Sequence, residues 1–521
     1  MGDRIKKFCI ISAIVIMSVI IVRQLFVMPG FIGIANNGDF WRISYKLGIG
    51  NKLDISIPEN YPKTFFNYFV DRYNFVTPIK TGFFTTTEYL LQIAKYLNWR
   101  FNSLGDFDIK WMGFVSYLLY ISGISICLFC LYKIKKTSEV ALFSVLAVLF
   151  FSDMYIVQYF NSFYSEATSI IFLIFYLNCV LLYITFQRSY AFRWLMFLLE
   201  LLFQYLFIGS KYQNFLFIIP CLIISILQIV DLLRPIKAYL TKSLVIFFYV
   251  VVILLTIFVN VFPSITAFTD SSGYADRVGA FNVILANLLL YSSSPETQLE
   301  KMGFQANEII EVKQKIGKNY YLVDQDFIDK YSPYFTREAE INMLLNEPSL
   351  VLKTLEKDAK FLFQLDQYGN YREVDGLKPA QKAQRFNVLT LIQATIYPRN
   401  FWFFSGIIAA TFIYSIYKMI KNKCLLSMNY YYVLVFLCLG AVFTYATSVF
   451  GDDTHDIYKH YFLTNIIFNV LLLFLVYLIA QDLLARLAVK VNLSGVVDRL
   501  RTEAGKLIMS GKARAFGKLK R

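Results

Sequence analysis

Four polar strings hold most of the residues in this chain whose types suit chemistry. The first is Asn36-Asn37-Gly38-Asp39-Phe40-Trp41-Arg42. The second starts at Asp153-Met154-Tyr155 and runs through Tyr159-Phe160-Asn161-Ser162-Phe163-Tyr164-Ser165-Glu166. The third is Gly209-Ser210-Lys211-Tyr212-Gln213-Asn214. The fourth is Gly451-Asp452-Asp453-Thr454-His455-Asp456-Ile457-Tyr458-Lys459-His460-Tyr461, and it contains both histidines of the chain. Carboxylates such as Asp39, Asp153 and Glu166 take a proton or orient a hydroxyl. A lysine such as Lys211 meets a phosphate as a point charge. Asn161, Tyr164, Gln213 and His460 are candidates to touch a sugar or a head group, through amide, ring and hydroxyl.

Each position also has a plainer reading. Asp39 and Asp153 are of the type that caps a helix or shapes a turn, the former ahead of a helix over 40–47. Tyr155, Tyr159 and Tyr164 fit an interfacial aromatic belt. Lys211 can snorkel to head groups. Asp452, Asp453, His455, Asp456 and His460 have metal-ligand types without a zinc spacing, which leaves a divalent cation open and no cofactor required. A phosphate-binding glycine loop, a dinucleotide fingerprint and a zincin motif are all missing.

The elements that must position these strings are membrane spans. Hydrophobic residues make up 57% of the 521 residues and charged ones only 17%, too few to solvate a soluble surface of this size. Ten stretches approach the 20 apolar residues that a spanning helix needs: 8–28, 112–132, 138–152, 166–187, 193–209, 213–231, 243–262, 402–420, 430–450 and 462–480. The third and fifth are the shortest. The first reads as an uncleaved anchor, because no small-residue cleavage site follows it. The fold expected is therefore an all-α polytopic membrane protein of about ten transmembrane helices. The cysteines fall mostly inside apolar runs and imply no disulfide framework.

Charge orients the bundle. The formal net charge of +15 gathers in alternate short loops, at Lys133, Lys135, Lys136, Arg234, Lys237, Lys242, Lys421 and Lys423. The positive-inside rule puts these loops in the cytoplasm and the N-terminus with them. All four polar strings then face outward, across what is expected to be the plasma membrane. A membrane domain over 1–262 includes the outer loop 29–111. A segment over 263–401 forms a mostly helical extracytoplasmic subdomain, with helices over 295–317, 335–347 and 348–364. Three spans over 402–480 return the chain, and 481–521 is a basic cytoplasmic tail against anionic lipid. No nucleic-acid partner is expected.

The strings and this layout resemble the GT-C superfamily of membrane glycosyltransferases, which use polyprenyl-phosphate sugars. The matching features are an acidic residue just after the first span, many spans and a late outer subdomain. The strings Asn36-Asn37-Gly38-Asp39-Phe40, Tyr159 through Glu166, Ser210 through Asn214 and Lys459-His460-Tyr461-Phe462-Leu463 also look like a largely uncharacterised bacterial multipass family. Asp39 stands alone where a pair of adjacent acids is usual. The resemblance implies Asp39 as general base for an acceptor hydroxyl, with inversion at the anomeric carbon. It implies Lys211 as the cation for the leaving phosphate, with Arg42 and Lys459 behind it. Asp153 and Glu166 would orient sugar hydroxyls or the base, and 263–401 would help bind a glycan, lipid or protein acceptor. The alternative is a multipass transporter or lipid-linked glycan flippase. That reading calls for ionisable residues at mid-span, and the spans read as mostly free of charge in their centres.

Overall fold

A computed structural model of the chain describes residues 2–27, 31–81, 83–102, 105–186, 189–234, 242–270, 273–364, 368–424, 428–451 and 457–490. The chain forms two compact units, 1–468 and 469–521. In the second, the described part continues the last helix to Lys490. The protein is a polytopic all-α membrane protein. Among the described residues, eight helices are long and apolar enough to cross a bilayer.

The spans begin with α1 (Gly2–Phe26). A non-spanning helix, α2 (Thr87–Phe101), precedes α3 (Lys110–Ile134), and α4 (Thr137–Phe151) follows. Then come α5 (Ser165–Thr185), α6 (Tyr190–Ile208) and α7 (Ile218–Leu233), the last entered through a 3-10 turn over Tyr212–Phe217. The series ends with α8 (Lys242–Asp270), α9 (Phe401–Lys421), α10 (Tyr430–Val449) and α11 (Phe462–Lys490). Asn400 and Asn429 start α9 and α10 by accepting from Phe403 N and Tyr431 N, which satisfies donors that a helix start leaves open.

The two expected spans that are not among these eight helices are the third and the seventh. The third is α4, whose 15 residues rise only about 22 Å, less than the hydrocarbon core. The seventh lies in the 29-residue α8, with its apolar described stretch at Val250–Val259. The fifth, α6, is long and apolar enough to cross.

Short turns make consecutive spans antiparallel. The end of α1, the starts of α3, α5, α7 and α11, and the ends of α4, α6 and α10 therefore share one end of the bundle. At the opposite end Lys6 Nζ donates to Lys135 O (2.5 Å) and Tyr132 OH to Asp3 Oδ1 (2.6 Å). The α5 helix sits innermost, packed on α3, α6 and α10. Glu200, midway along α6 and fully buried, is an exception to the mostly uncharged span centres. Gln204 Nε2 donates to Glu200 Oε1 (3.1 Å) and to Ser225 Oγ (2.8 Å) on α7, a polar join of the kind that holds helices together in lipid.

The loop between α1 and α3 contains structure that its sequence does not advertise. Three strands, β1 (Ile49–Gly50), β2 (Arg72–Phe75) and β3 (Phe107–Asp108), pair antiparallel in the order β1-β2-β3, with Ile49 opposite Phe75 and Tyr73 opposite Phe107. Two to four residues are too few to show a period-2 pattern. The expected helix over 40–47 is one α-turn, Trp41–Ser44, followed by a 3-10 turn, Tyr45–Leu47.

The segment 263–401 is mostly helical where described. The stretch 295–317 forms two helices, Pro295–Lys301 and Ala306–Lys313, because Gly303 turns the chain at φ +94°. Arg337–Asn346 and Ser349–Asp358 match the other two expected helices. Phe281, Leu299, Phe327, Tyr331, Phe335 and Leu350 form their shared core. The later part of this segment braces the first loop: Gly33 N donates to Asn370 O (3.2 Å), Ala35 N to Gly369 O (2.8 Å) and Phe69 N to Tyr371 O (2.9 Å).

Candidate active site

The loop after α1 is shaped by its own side chains. Asn36 Oδ1 accepts from Gly38 N (2.8 Å) and Phe40 N (3.2 Å). Asn37 Oδ1 accepts from Asp39 N (3.1 Å). Such local bonds are what Asn offers at turns. Gly38 adopts φ +108°, which an L side chain rarely does, so glycine is needed there. The tight turn leaves the Asp39 side chain free of any capping duty, since the helix it precedes has no side-chain cap.

The Asp39 carboxylate instead faces a charge cluster. Lys459 Nζ, from the turn before α11, lies 2.6 Å from Oδ2, and Arg42 Nη2 lies 3.2 Å from Oδ1. Asn37 Nδ2 donates to Oδ2 (3.1 Å). The Lys459 side chain is 4% exposed and that of Asp39 29%, so solvent reaches the pair from the carboxylate side. Burial pushes the Asp39 carboxyl up, but the Lys459 and Arg42 charges outweigh it and hold the group well below the usual carboxylate range. Tyr164 completes the cluster. Its OH lies within hydrogen-bond distance of two acceptors, Asn37 Oδ1 (2.9 Å) and Ala35 O (3.1 Å), and Lys459 stands 5.0 Å over its ring. A cavity of about 320 Å³ opens beside this turn, lined by Asn36, Gly38, Trp41, Tyr45, Asn51, Ile55, Phe65 and Ile79 and not by the charged side chains themselves.

The other named residues meet at the same end but do separate work. Lys211 pairs with Glu166, Nζ to Oε1 2.7 Å, and the carboxylate is 3% exposed. Gln213 Nε2 lies 2.7 Å from His460 Nδ1. Asn161 Nδ2 donates to Leu25 O (3.1 Å) and Ile32 O (2.8 Å), spanning the exit of α1. Asp153 is fully buried and accepts from Tyr155 N (2.9 Å), Leu389 N (2.6 Å), Thr390 N (3.1 Å) and Thr390 Oγ1 (2.6 Å). Burial raises its carboxyl despite these donors. Its oxygens thus tie a helix start to the helix Val388–Thr395, which is the plainer of its two readings.

Sequence reasoning ranked Lys211 above Lys459 as the cation, and the geometry puts Lys459 on Asp39. Tyr164, which the sequence offers both as a substrate contact and as part of an aromatic belt, has its ring under Lys459. Asn37 was quoted only as part of a string, yet it links Asp39 to Tyr164. The Asn-Asn-Gly-Asp turn was the available signal. Among the described residues no three His, Cys, Asp or Glu side chains gather as a metal would require. Asp452, Asp453, His455 and Asp456 lie outside the described residues.

The family model described as the YfdI N-terminal transmembrane domain matches residues 3–496. The chain belongs to this family. The membership bears out the GT-C resemblance drawn from the polar strings. No curated protein sequence matches the chain. Among solved structures, the chain is similar to the archaeal oligosaccharyltransferase AglB from Archaeoglobus fulgidus in complex with an inhibitory peptide and a dolichol-phosphate. That likeness has 12% identity and a TM-score of 0.39, over 93% of this chain and 52% of the other. The apo oligosaccharyltransferase of the same organism gives 11% identity and a TM-score of 0.38, over 92% and 52%. The chain thus spans about half the length of these solved structures.

Proposed function

We propose that the protein is a membrane glycosyltransferase that moves a sugar from a polyprenyl-phosphate carrier to an acceptor hydroxyl. The observation that carries the reading is a carboxylate held between two cations, Asp39 with Lys459 and Arg42, on a loop whose neighbouring residues Asn36, Gly38 and Trp41 line a cavity. One negative and two positive groups leave the cluster net positive, which suits a phosphate. Arg42 brings a planar fork and Lys459 a point charge.

In this reading the donor phosphate takes up Lys459 and Arg42. The acceptor oxygen attacks the anomeric carbon as its proton passes to Asp39. The bond from that carbon to the phosphate oxygen breaks, its electron pair leaves on the lipid phosphate, and the configuration inverts. A carboxylate tied to two cations is a weak base. Once the phosphate shares those cations, Asp39 becomes a stronger one, so proton transfer waits for the donor. The prenyl tail would lie among the spans, and the reaction would take place on the outer face.

Membranes carrying Asp39→Asn, supplied with a labelled polyprenyl-phosphate sugar, are expected to turn over about 10²–10⁴-fold more slowly than wild type. Lys459 loses the opposing carboxylate in this variant, so the variant's thermal midpoint and donor binding are measured alongside. Wild-type turnover by folded Asp39→Asn protein removes the residue from the mechanism.

A further inference from the structure

A second cavity lies away from the charge cluster, in the helical segment 263–401. It is a groove of about 430 Å³ between the helices Pro295–Lys301 and Arg337–Asn346 and the turn at Tyr334. Its chemistry comes from Gln298, Lys301, Tyr334, Glu338, Asn342 and Asn346, over an apolar floor at Met343.

Gln298 is the telling residue. It is 4% exposed, and among the described residues its carboxamide has no hydrogen-bond partner in the protein. Neither amide atom is fully cut off from solvent, so what meets the carboxamide comes from outside the protein. The opening left to it is the groove it lines. Asn342 and Asn346, one helical turn apart, add two more carboxamides at the exposed rim. Each carboxamide offers a donor and an acceptor side by side, which matches neighbouring hydroxyls on a sugar ring. Lys301 and Glu338 cancel in charge, so the groove does not select an ion. The Tyr334 ring rests on Phe304 with centroids 4.6 Å apart, and its half-exposed remainder offers an apolar face with a polar tip.

The groove is also tied to the cluster. Arg337 opens the helix that carries Asn342 and Asn346. Its guanidinium donates to Phe450 O (3.0 Å) and Gly451 O (3.0 Å), at the start of the fourth polar string, where Lys459 follows. Glu340 holds the same guanidinium at 2.6 Å.

The geometry points to this groove as a binding site for a neutral oligosaccharide, and, resting on the transferase reading, for the acceptor glycan. The full chain in detergent micelles is tested by saturation-transfer NMR against neutral tetrasaccharides of glucose, galactose, mannose and N-acetylglucosamine. At least one is expected to bind. Gln298→Leu and Asn342→Ala should each weaken it about tenfold, and Asp39→Asn should leave it within twofold. The site is overturned if no tetrasaccharide binds, if binding survives both groove substitutions, or if an uncharged peptide of similar length binds and no saccharide does. The two ideas fail separately. Loss of donor turnover in Asp39→Asn with no saccharide binding sinks the groove alone. Saccharide binding that depends on Gln298, with turnover indifferent to Asp39, sinks the transferase reading alone.

Discussion

At Asp39, burial and two ion pairs pull the carboxyl in opposite directions, and the ion pairs win. The sign of the pH effect follows. The folded value lies below the ordinary one, near 4. Stability from the Lys459 and Arg42 pairs is therefore complete above that range and is lost only as pH falls through the lower folded value. The acid limb of donor kcat/KM should accordingly lie below the ordinary carboxylate range. Lys459→Gln removes the larger opposing charge, so its acid limb should move up in pH, and its donor KM should rise about tenfold or more. A pH series of donor turnover on the two proteins checks both expectations. An unmoved limb and an unchanged KM would dismiss Lys459 as the phosphate cation. Lys211 differs because its charge already answers buried Glu166 at 2.7 Å. Breaking such a pair strands the carboxylate at a cost of about 3–5 kcal/mol, a structural loss before any catalytic one.

At the scale of the element, the turn Asn36–Asp39 is what aims the carboxylate. Two Asn side chains bond their own backbone, and Gly38 takes a φ that a Cβ resists. An added Cβ at Gly38 would meet nothing within 4 Å, so any penalty is conformational and not steric. Gly38→Ala is expected to cost about 1–3 kcal/mol and to lower turnover by redirecting Asp39. Thermal midpoints and donor turnover in micelles measure the two effects, and wild-type values for both would show that the turn tolerates an ordinary residue. Asp153 shows the opposite use of a carboxylate in a loop. Four donors from two elements close on it: the Tyr155 N cap is legible in the local sequence, but the three from Leu389 and Thr390 are not, because they lie some 236 positions away. The sheet β1-β2-β3 escaped notice for a related reason, since its strands are too short to carry a pattern.

Over the whole molecule, α5 and its neighbours bring four strings separated by up to 420 positions to one end of a bundle. Orientation in the membrane is then a single binary choice. Ser56 lies in the loop after α1 and Asn422 in the turn after α9, both exposed. In intact cells an impermeant maleimide should label Ser56→Cys and should reach Asn422→Cys only after lysis. The reverse pattern would place the charge cluster on the cytoplasmic face.

Composition and the spacing of apolar runs were enough to establish the polytopic all-α fold, because burial in lipid demands long helices whatever their neighbours. They also drew attention to the four polar strings, since polar groups at the ends of apolar helices stand out against their background. Which cation meets which carboxylate was not legible. Lys211 and Lys459 are alike in sequence, and only the meeting of the turn before α11 with the first loop sends one to Asp39 while α5 offers Glu166 to the other. Gln298 was silent for the same reason: an amide without a protein partner at a groove exists only once the surrounding helices have closed around it.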